Sequence, residues 1–112
     1  MYEYKVRDII KIYDGDTVTI TIDLGFGIYK TDNFRLSGLD APEVRGVERP
    51  DGLISRDWLR ARLEGATEKD FRVKTFKDKK GKYGRYIAEL FIDGVSINLE
   101  LITEGLAEAR IY

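Results

Sequence analysis

Residues 12–23 read IYDGDTVTITID, and this stretch decides what the chain can fold into. From position 17 onward polar and apolar residues alternate, which is the two-residue period of a strand with one buried face. The apolar members are Val18, Ile20 and Ile22. Residues 14–16 (DGD) predict a tight turn in front of that strand, because glycine adopts the left-handed conformation without strain. Residues 6–12 contain four apolar β-branched residues, Val6, Ile9, Ile10 and Ile12, and predict a strand before the turn, so the whole segment predicts a β-hairpin.

The remaining elements follow from the same kinds of pattern. Their predicted bounds are a third strand over residues 28–39, bent near Gly38, a polar loop over 44–52, a helix over 53–63, strands over 71–76 and 85–92, and a helix over 95–104. Helical spacing predicts the residues that each helix turns toward the core. They are Ile54, Trp58 and Ala61 of the first helix, with Leu59 and Leu63 as further candidates, and Val95, Leu99, Ile102 and Leu106 of the second. The order of three strands, helix, two strands and helix predicts a mainly β (α+β) fold, a five-stranded OB-fold barrel with two helices.

Composition limits the chemistry that is available. The 112 residues fit one domain, and 43% hydrophobic with 35% charged residues is a globular composition. The sequence has no cysteine and no histidine, which excludes disulfides, thiolate metal sites and a histidine base. Any bound metal should therefore be a hard cation with oxygen ligands, such as calcium or magnesium. The net charge of −1 counts mildly against nucleic-acid binding.

Location is predicted from two absences in the sequence. No apolar run approaches the length of a membrane span, so we expect no membrane partner. The first five residues, MYEYK, lack the apolar core of a signal peptide. We expect a cytoplasmic protein, or a secreted one if a leader has been removed.

Acidic residues stand where two predicted strands end. Asp16 follows the hairpin turn and Asp40 closes the third strand, so two carboxylates and a backbone carbonyl there could form a calcium shell. Aspartates also cap turns through their own backbone, which is the ordinary alternative. Glu43, after Pro42, is either a base beside a metal or an ordinary loop glutamate.

Two arginines complete the set. Arg35 lies in the middle of the third strand, where its planar fork could hold phosphate oxygens or simply face water. Arg85, after Gly84, could meet charge that develops on a phosphoryl group, or belong to the solvated basic turn over residues 77–84. Each signal is weak alone, but together they supply a metal, a base and two cationic clamps for phosphodiester hydrolysis.

Four motifs in one order resemble the staphylococcal nuclease-like (thermonuclease) family. They are residues 13–18 (YDGDTV), 34–43 (FRLSGLDAPE), 82–85 (KYGR) and 98–107 (NLELITEGLA). The resemblance runs from about Val6 to Tyr112, nearly the whole chain. It implies a calcium-dependent, sugar-nonspecific endonuclease that hydrolyses DNA and RNA, single-stranded or frayed, to 3′-phosphate products.

The resemblance also implies roles for single positions. It implies calcium (Ca²⁺) binding by the side chains of Asp16 and Asp40 and by the backbone carbonyl of Ala41, with Asp14 behind them. The implied catalytic residues are Arg35 and Arg85 as phosphate clamps and Glu43 as general base or as the residue that orients the water. The implied nucleotide site contains Lys82, Tyr83 and Tyr112.

Several positions depart from the family pattern. Ala41 stands where threonine is frequent, the loop over residues 44–52 is short and poor in lysine, and Arg110 stands where an aromatic residue is frequent. The sequence ends at Tyr112, before the family's usual C-terminal helix, so we expect either reduced stability or a dimer that covers the exposed barrel wall. The expected organisation is a single domain over 1–112, as a monomer or weak dimer. The alternative function is a non-catalytic OB-fold module that binds nucleic acid or peptide. Retention of Arg35, Glu43 and Arg85 favours the enzyme.

Overall fold

The computed structural model describes residues 2–80 and 86–110 of the chain. The strands are β1 Tyr2–Asp14, β2 Thr17–Gly25, β3 Ile28–Leu36, β4 Leu39–Asp40, β5 Phe71–Lys80, β6 Tyr86–Ile92, β7 Val95–Ser96 and β8 Glu108–Ala109. The helices are α1 Arg49–Leu63 and α2 Ile97–Thr103, with single 3₁₀ turns at Gly46–Glu48 and Ala66–Glu68.

The five long strands close into a barrel. They pair antiparallel in the order β3-β2-β1-β5-β6, and β6 then pairs with β3 in parallel, which joins the two edges. Three register shifts along the β1–β2 ladder bend β1 around the barrel. The predicted alternation is confirmed, because Val18, Ile20 and Ile22 are all buried. The predicted mainly β, five-stranded OB-type fold is confirmed as well.

The core lies inside the barrel and under the two helices. Phe71, Leu90 and Leu36 fill the barrel, while Leu59 of α1 and Leu101 of α2 cover it, each completely buried. Burying a leucine or phenylalanine side chain contributes about 1.5–3 kcal/mol, so these contacts fix where each helix sits. Across residues 2–80 and 86–110, no helix has both the length and the apolar character needed to cross a membrane.

The third strand is shorter than predicted. It ends at Leu36, and Gly38 turns the chain with a φ of 78°, a left-handed conformation that suits glycine. Leu39 and Asp40 then form a separate short strand, β4, which pairs with β8 instead of continuing in the barrel. This turn carries Asp40 out of the barrel sheet and to the barrel rim.

The predicted loop over residues 44–52 is wrong in its second half. Helix α1 begins at Arg49, because Pro50 stands in the first helical turn, where a missing N–H is harmless and its fixed φ suits the helix. Interpreting Pro50 as a loop signal places the predicted start of the helix four residues late.

The predicted inner faces of both helices are also wrong in part. Ile54 and Leu99 are 59% and 61% exposed, Val95 is 46% exposed and belongs to β7, and Ala61 is exposed. The face of α1 that is buried carries Gly52, Ser55, Leu59 and Leu63. The predicted burial of Leu59 and Leu63 is confirmed, and Trp58, Ile102 and Leu106 are partly buried against the core. Apolar spacing does not reveal Gly52 and Ser55, because small residues complete the buried face of α1.

Candidate active site

The β1–β2 turn is packed tightly against the rest of the barrel rim. A Cβ on Gly15 would lie 2.8 Å from Cβ of Ala41 and 2.9 Å from Cβ of Ser55, closer than real side-chain contacts allow. The amide of Asp16 donates to Oδ1 of Asp14 at 3.0 Å, which fixes the shape of the turn. Glycine therefore lets the turn touch the segment after β4 and helix α1 together.

Asp16 is the residue that ties the turn to its neighbours. The residue is 7% exposed, and its Oδ2 accepts a hydrogen bond from the amide of Ala41 at 2.9 Å. The same oxygen lies 3.2 Å from Nη1 of Arg35, and Oδ1 accepts from the hydroxyl of Thr17 at 3.1 Å. Strands β2 and β3 and the residue directly after β4 thus all contact one carboxylate.

Arg35 lies between two aspartates. Its Nη2 forms an ion pair with Oδ1 of Asp40, and its Nη1 pairs with Asp16 and also donates to the carbonyl of Leu36 at 3.1 Å. The side chain is only 14% exposed, so the guanidinium is held largely out of water. The structure therefore brings Asp16, Arg35 and Asp40 together at one place on the barrel rim.

Arg110 is a second arginine on Asp40, and its contact with the site was not predicted. Its Nη1 lies 2.7 Å from Oδ2 of Asp40, and its amide donates to the carbonyl of Gly38 at 2.8 Å. The preceding residues Glu108–Ala109 pair with Leu39–Asp40. Only the antiparallel pairing of these distant segments reveals this contact.

Glu43 lies beside the aspartate–arginine cluster without joining its ion pairs. It is exposed and lines a groove of about 500 Å³ together with Thr17, which also touches Asp16. Arg49 donates to the carbonyl of Val44 at 2.8 Å and so fixes the chain next to Glu43. The glutamate is therefore close to the cluster and open to water.

The turn is crowded with negative charge. Burial raises the pKa of Asp14 to about 7, and the hydrogen bond and the negative charge of Asp16 act in the same direction. Arg35 opposes the shift. A positive charge close to the turn therefore stabilises the ionised forms of these two aspartates.

The donor set suits a hard cation in its chemistry. The carboxylates of Asp16 and Asp40 face the same positive group, Arg35, and carboxylate oxygen is the ligand that calcium prefers. Within residues 2–80 and 86–110, however, no three acidic side chains are gathered closely enough to form a metal cage. The amide of Ala41 faces Asp16 through its N–H. Four of the predicted site residues, Lys82, Tyr83, Arg85 and Tyr112, lie outside the described residues.

Comparison with known proteins bears on this arrangement. Residues 33–112 match the family model described as Staphylococcal nuclease homologue. The chain is 32% identical over 112 residues to the Thermonuclease of Staphylococcus hyicus, covering 97% of this chain and 60% of that protein. It is 30% identical over 105 residues to the Thermonuclease of Staphylococcus intermedius, covering 91% of this chain and 58% of that protein.

A further relative comes from another genus. The SPbeta prophage-derived endonuclease YokF of Bacillus subtilis is 29% identical over 104 residues, which cover 88% of this chain and 32% of that protein. The chain thus spans about 60% of the length of the thermonucleases that it matches, and less of the endonuclease. With the family model covering residues 33–112 and an OB-type barrel carrying its motifs, this chain belongs to the staphylococcal nuclease homologue family.

Proposed function

We propose that this chain is a calcium-dependent nuclease that hydrolyses phosphodiester bonds of DNA and RNA and leaves 3′-phosphate ends. The observation that carries the proposal is the seating of Arg35 between Asp16 and Asp40 at the barrel rim. The relatives named thermonuclease and endonuclease support the reaction class. Single-stranded or frayed nucleic acid is the expected form of the substrate, because the phosphate must reach a recessed rim.

Arg35 would bind the scissile phosphate. Its planar fork matches two phosphate oxygens, and its low exposure makes each charge-assisted hydrogen bond stronger than it would be in water. Positive charge placed where negative charge develops is usually the largest catalytic contribution. Arg85 would be the second clamp on the same phosphate, and Lys82, Tyr83 and Tyr112 would line the nucleotide site.

Glu43 would act on the attacking water. The carboxylate accepts a proton from the water as its oxygen bonds to phosphorus, and the bond from phosphorus to O5′ breaks. The 5′ oxygen leaves and takes a proton from solvent, so the phosphate stays on the 3′ end of the other fragment. Glu43 is suited to this role because it is exposed to solvent water and lines a groove with Thr17, whose hydroxyl touches Asp16 of the cluster.

Calcium would be held by the side chains of Asp16 and Asp40 and by the carbonyl of Ala41. Calcium bound there would supply positive charge near the phosphate and would favour ionisation of water. The two carboxylates are compensated here by Arg35 and Arg110. A cation would take over that compensation and leave Arg35 free for the phosphate. Asp14 lies behind Asp16 and sets the shape of the turn that presents it.

A cleavage assay tests the proposal. Labelled single-stranded DNA and RNA are incubated with the protein in millimolar calcium or in EGTA, and the ends are typed by polymerase extension before and after phosphatase treatment. We expect cleavage only with calcium, and product ends that extend only after phosphatase. Arg35→Ala should lower kcat about 10²–10³-fold or more, as loss of a charge-stabilising donor does elsewhere.

Arg72→Ala is the matched control. Arg72, on strand β5, also forms an ion pair with an aspartate, Asp70, which precedes the strand, and loss of Arg72 should leave kcat unchanged. Cleavage in EGTA, or a tenfold or smaller effect of Arg35→Ala, would contradict the assigned roles. Oligonucleotide binding without any cleavage by the wild-type protein would identify a binding module instead.

A further inference from the structure

Beside the cluster of Asp16, Arg35 and Asp40 lies a groove of which the assigned roles use only Glu43. We call it the Lys11 groove, and it has a volume of about 500 Å³. Its lining residues are Lys11, Tyr13, Thr17, Thr19, Asn33, Glu43 and Arg45. It combines an outer face of the first three barrel strands with the segment after β4.

Strand pairing makes the groove continuous with the candidate active site. Thr17 lies opposite Arg35 on the neighbouring strand, and its hydroxyl touches Asp16 at 3.1 Å. Further along the same strands, Thr19 is paired with Lys11 on one side and Asn33 on the other. A nucleic-acid strand whose phosphate is bound at Arg35 can therefore continue directly into the groove.

The wall groups suit a nucleotide. Lys11 and Arg45 are exposed cations, and Tyr13 is an exposed aromatic ring with Nζ of Lys11 5.5 Å from its centroid. A positive groove with an aromatic side chain is the arrangement that binds single-stranded nucleic acid without sequence preference. The floor is polar, since the hydroxyl of Thr19 donates to Oδ1 of Asn33 at 2.5 Å.

A second cavity differs from the Lys11 groove in the charges that line it. It is larger, about 600 Å³, and lies between β1 and α1. Three carboxylates line it, from Asp8, Asp57 and Glu64, with Arg60 as their counter-charge. That balance repels phosphate, whereas the Lys11 groove has two cations against the one carboxylate of Glu43. Size alone would favour the wrong cavity for a polyanion.

We propose that the Lys11 groove holds a further nucleotide of single-stranded DNA or RNA, next to the one whose phosphate Arg35 would bind. Lys11 and Arg45 contact its phosphate, and Tyr13 stacks on its base. The position of this nucleotide next to the cleaved phosphate rests on the proposed nuclease function. The proposal that the groove binds a nucleotide rests only on the residues that line it. It gives a chain with a net charge of −1 a local positive track for its substrate.

The test compares substrate lengths. We would measure kcat/KM in calcium on single-stranded DNA of two and of eight nucleotides, over a range of salt concentrations, for the wild type and Lys11→Ala. For the octamer, kcat/KM of Lys11→Ala should be about fivefold lower than that of the wild type. The slope of log kcat/KM against log salt concentration should become shallower by about 0.7, the value for one phosphate contact on a single strand. For the dinucleotide, kcat/KM should stay within a factor of two. Tyr13→Leu should lower kcat/KM for the octamer about tenfold, because a base can no longer stack on the ring, and should leave the salt slope unchanged.

Lys74→Ala is a closely matched control. Lys74 is also a strand lysine over an aromatic ring, with Nζ 4.8 Å from the centroid of Phe91, but it does not line the groove. Its loss should change the cleavage of neither substrate. Equal losses from Lys11→Ala and Lys74→Ala, or an equal loss on both lengths, would overturn the proposal.

Binding separates this proposal from the nuclease function. Fluorescence anisotropy of the labelled octamer in EGTA, where calcium-dependent cleavage stops, should show Lys11→Ala binding about fivefold more weakly than the wild type or Lys74→Ala. If the wild type cleaves nothing but this difference is present, the nuclease function fails and the groove stands. If the three proteins bind the octamer equally, the groove proposal is wrong whatever the cleavage result.

Discussion

Gly52 of helix α1 lies directly against the backbone of Glu43. A Cβ on Gly52 would overlap the carbonyl group of Glu43 and would lie 2.8 Å from the amide nitrogen of Val44. The atoms in the way are backbone atoms, so no side-chain rotation can relieve the clash. The position of the proposed general base is therefore set by the absence of a side chain at Gly52, further along the sequence.

Gly52→Ala should displace Glu43 and lower activity. Alanine is about 1 kcal/mol better than glycine in a helix interior, so the substitution would ordinarily stabilise the protein. Here the new methyl group must push the segment 43–44 outward, and a displacement of about 1 Å at a reacting group can lower kcat by about 10²-fold. The measurement is kcat on single-stranded DNA together with the urea unfolding midpoint.

Gly94→Ala is the control for this prediction. Gly94 has a φ of 81°, and a Cβ added to it would meet no atom within 4 Å, so alanine there strains a turn between β6 and β7 without a clash. It should lower stability by about 1–2 kcal/mol without changing kcat. If Gly52→Ala keeps wild-type kcat, either Glu43 is not the base or its position does not depend on helix α1.

The contrast between these glycines shows what a sequence can and cannot predict here. Alternation predicted the barrel strands correctly, because Val18, Ile20 and Ile22 report their own burial through their spacing. Gly52 reports nothing of the kind, since its role depends on a segment that reaches it only in three dimensions. The same limit explains why helical spacing places Ile54 in the core although it is 59% exposed.

The candidate site was predictable to the same degree. Asp16 and Asp40 stand next to the ends of predicted strands and Arg35 lies within one, and the ion pairs of Arg35 show that the three side chains lie together. Their roles in metal and phosphate binding stay predictions. Arg110 could not be assigned to Asp40, because β8 is only two residues long and its pairing partner, β4, is distant in the sequence.

Arg110→Ala should raise the affinity for calcium. Nη1 of Arg110 lies 2.7 Å from Oδ2 of Asp40, so a cation that binds this carboxylate must displace or repel the guanidinium. Because the side chain of Arg110 is 55% exposed, the effect should be modest, about two- to fivefold, as for other solvent-exposed pairs. Isothermal titration of calcium into the metal-free protein at low salt measures it.

Salt and a control variant make the effect of Arg110 specific. Added salt should shrink the difference, because exposed charges are screened within about 10 Å at 0.1 M ionic strength. Arg72→Ala removes an equivalent arginine that is paired with Asp70 and should leave calcium binding unchanged. Calcium affinity that is equal in the wild type and Arg110→Ala would show that Asp40 is not a ligand or that the ion pair does not compete.

Asp14 should make the stability of the metal-free protein depend on pH. Burial, and after it the neighbouring Asp16, raises the pKa of Asp14 in the folded protein to about 7, while an aspartate in an unfolded chain has a pKa of about 3.9. The folded state therefore binds the proton more tightly. This contribution to stability is fully present below about pH 4, declines as the pH rises, and is lost above about pH 7.

Asp14→Asn checks the sign. Asparagine keeps an oxygen that can accept from the amide of Asp16 but cannot ionise. In EGTA, the free energy of unfolding of the variant relative to the wild type should therefore increase between about pH 4 and pH 7. Asp93→Asn serves as the control, because Asp93 also accepts from a backbone amide, that of Asp70 at 3.2 Å, but stands at an exposed turn. A variant whose stability follows that of the wild type at every pH would contradict the assignment to Asp14.

Asn98 ties helix α2 to the segment that carries Asp40, a contact that the apolar spacing of the helix does not predict. It is 3% exposed, and its Oδ1 accepts from the amide of Leu90 at 3.1 Å. Its Nδ2 donates to the carbonyl of Ser37 at 3.0 Å and to that of Ala88 at 3.1 Å. One side chain thus satisfies polar backbone groups on β6 and on the turn between β3 and β4.

Asn98→Ala should destabilise the protein and weaken the site together. Three backbone groups lose a partner, but the carbonyl of Ala88 still accepts from the amide of Ser37 at 2.8 Å and the carbonyl of Ser37 is only partly buried. At about 1 kcal/mol or more for each buried group left unpaired, the unfolding free energy should fall by about 1–3 kcal/mol. The turn at Ser37 leads directly to Asp40, so calcium affinity should fall as well. Leu99→Ala, one residue along the same helix and 61% exposed in the wild type, should change stability by about 0.5 kcal/mol or less. Urea unfolding with an unchanged m-value, followed by calcium titration of the folded variant, measures both effects; a loss of stability with wild-type calcium affinity would show that the position of Asp40 does not depend on this asparagine.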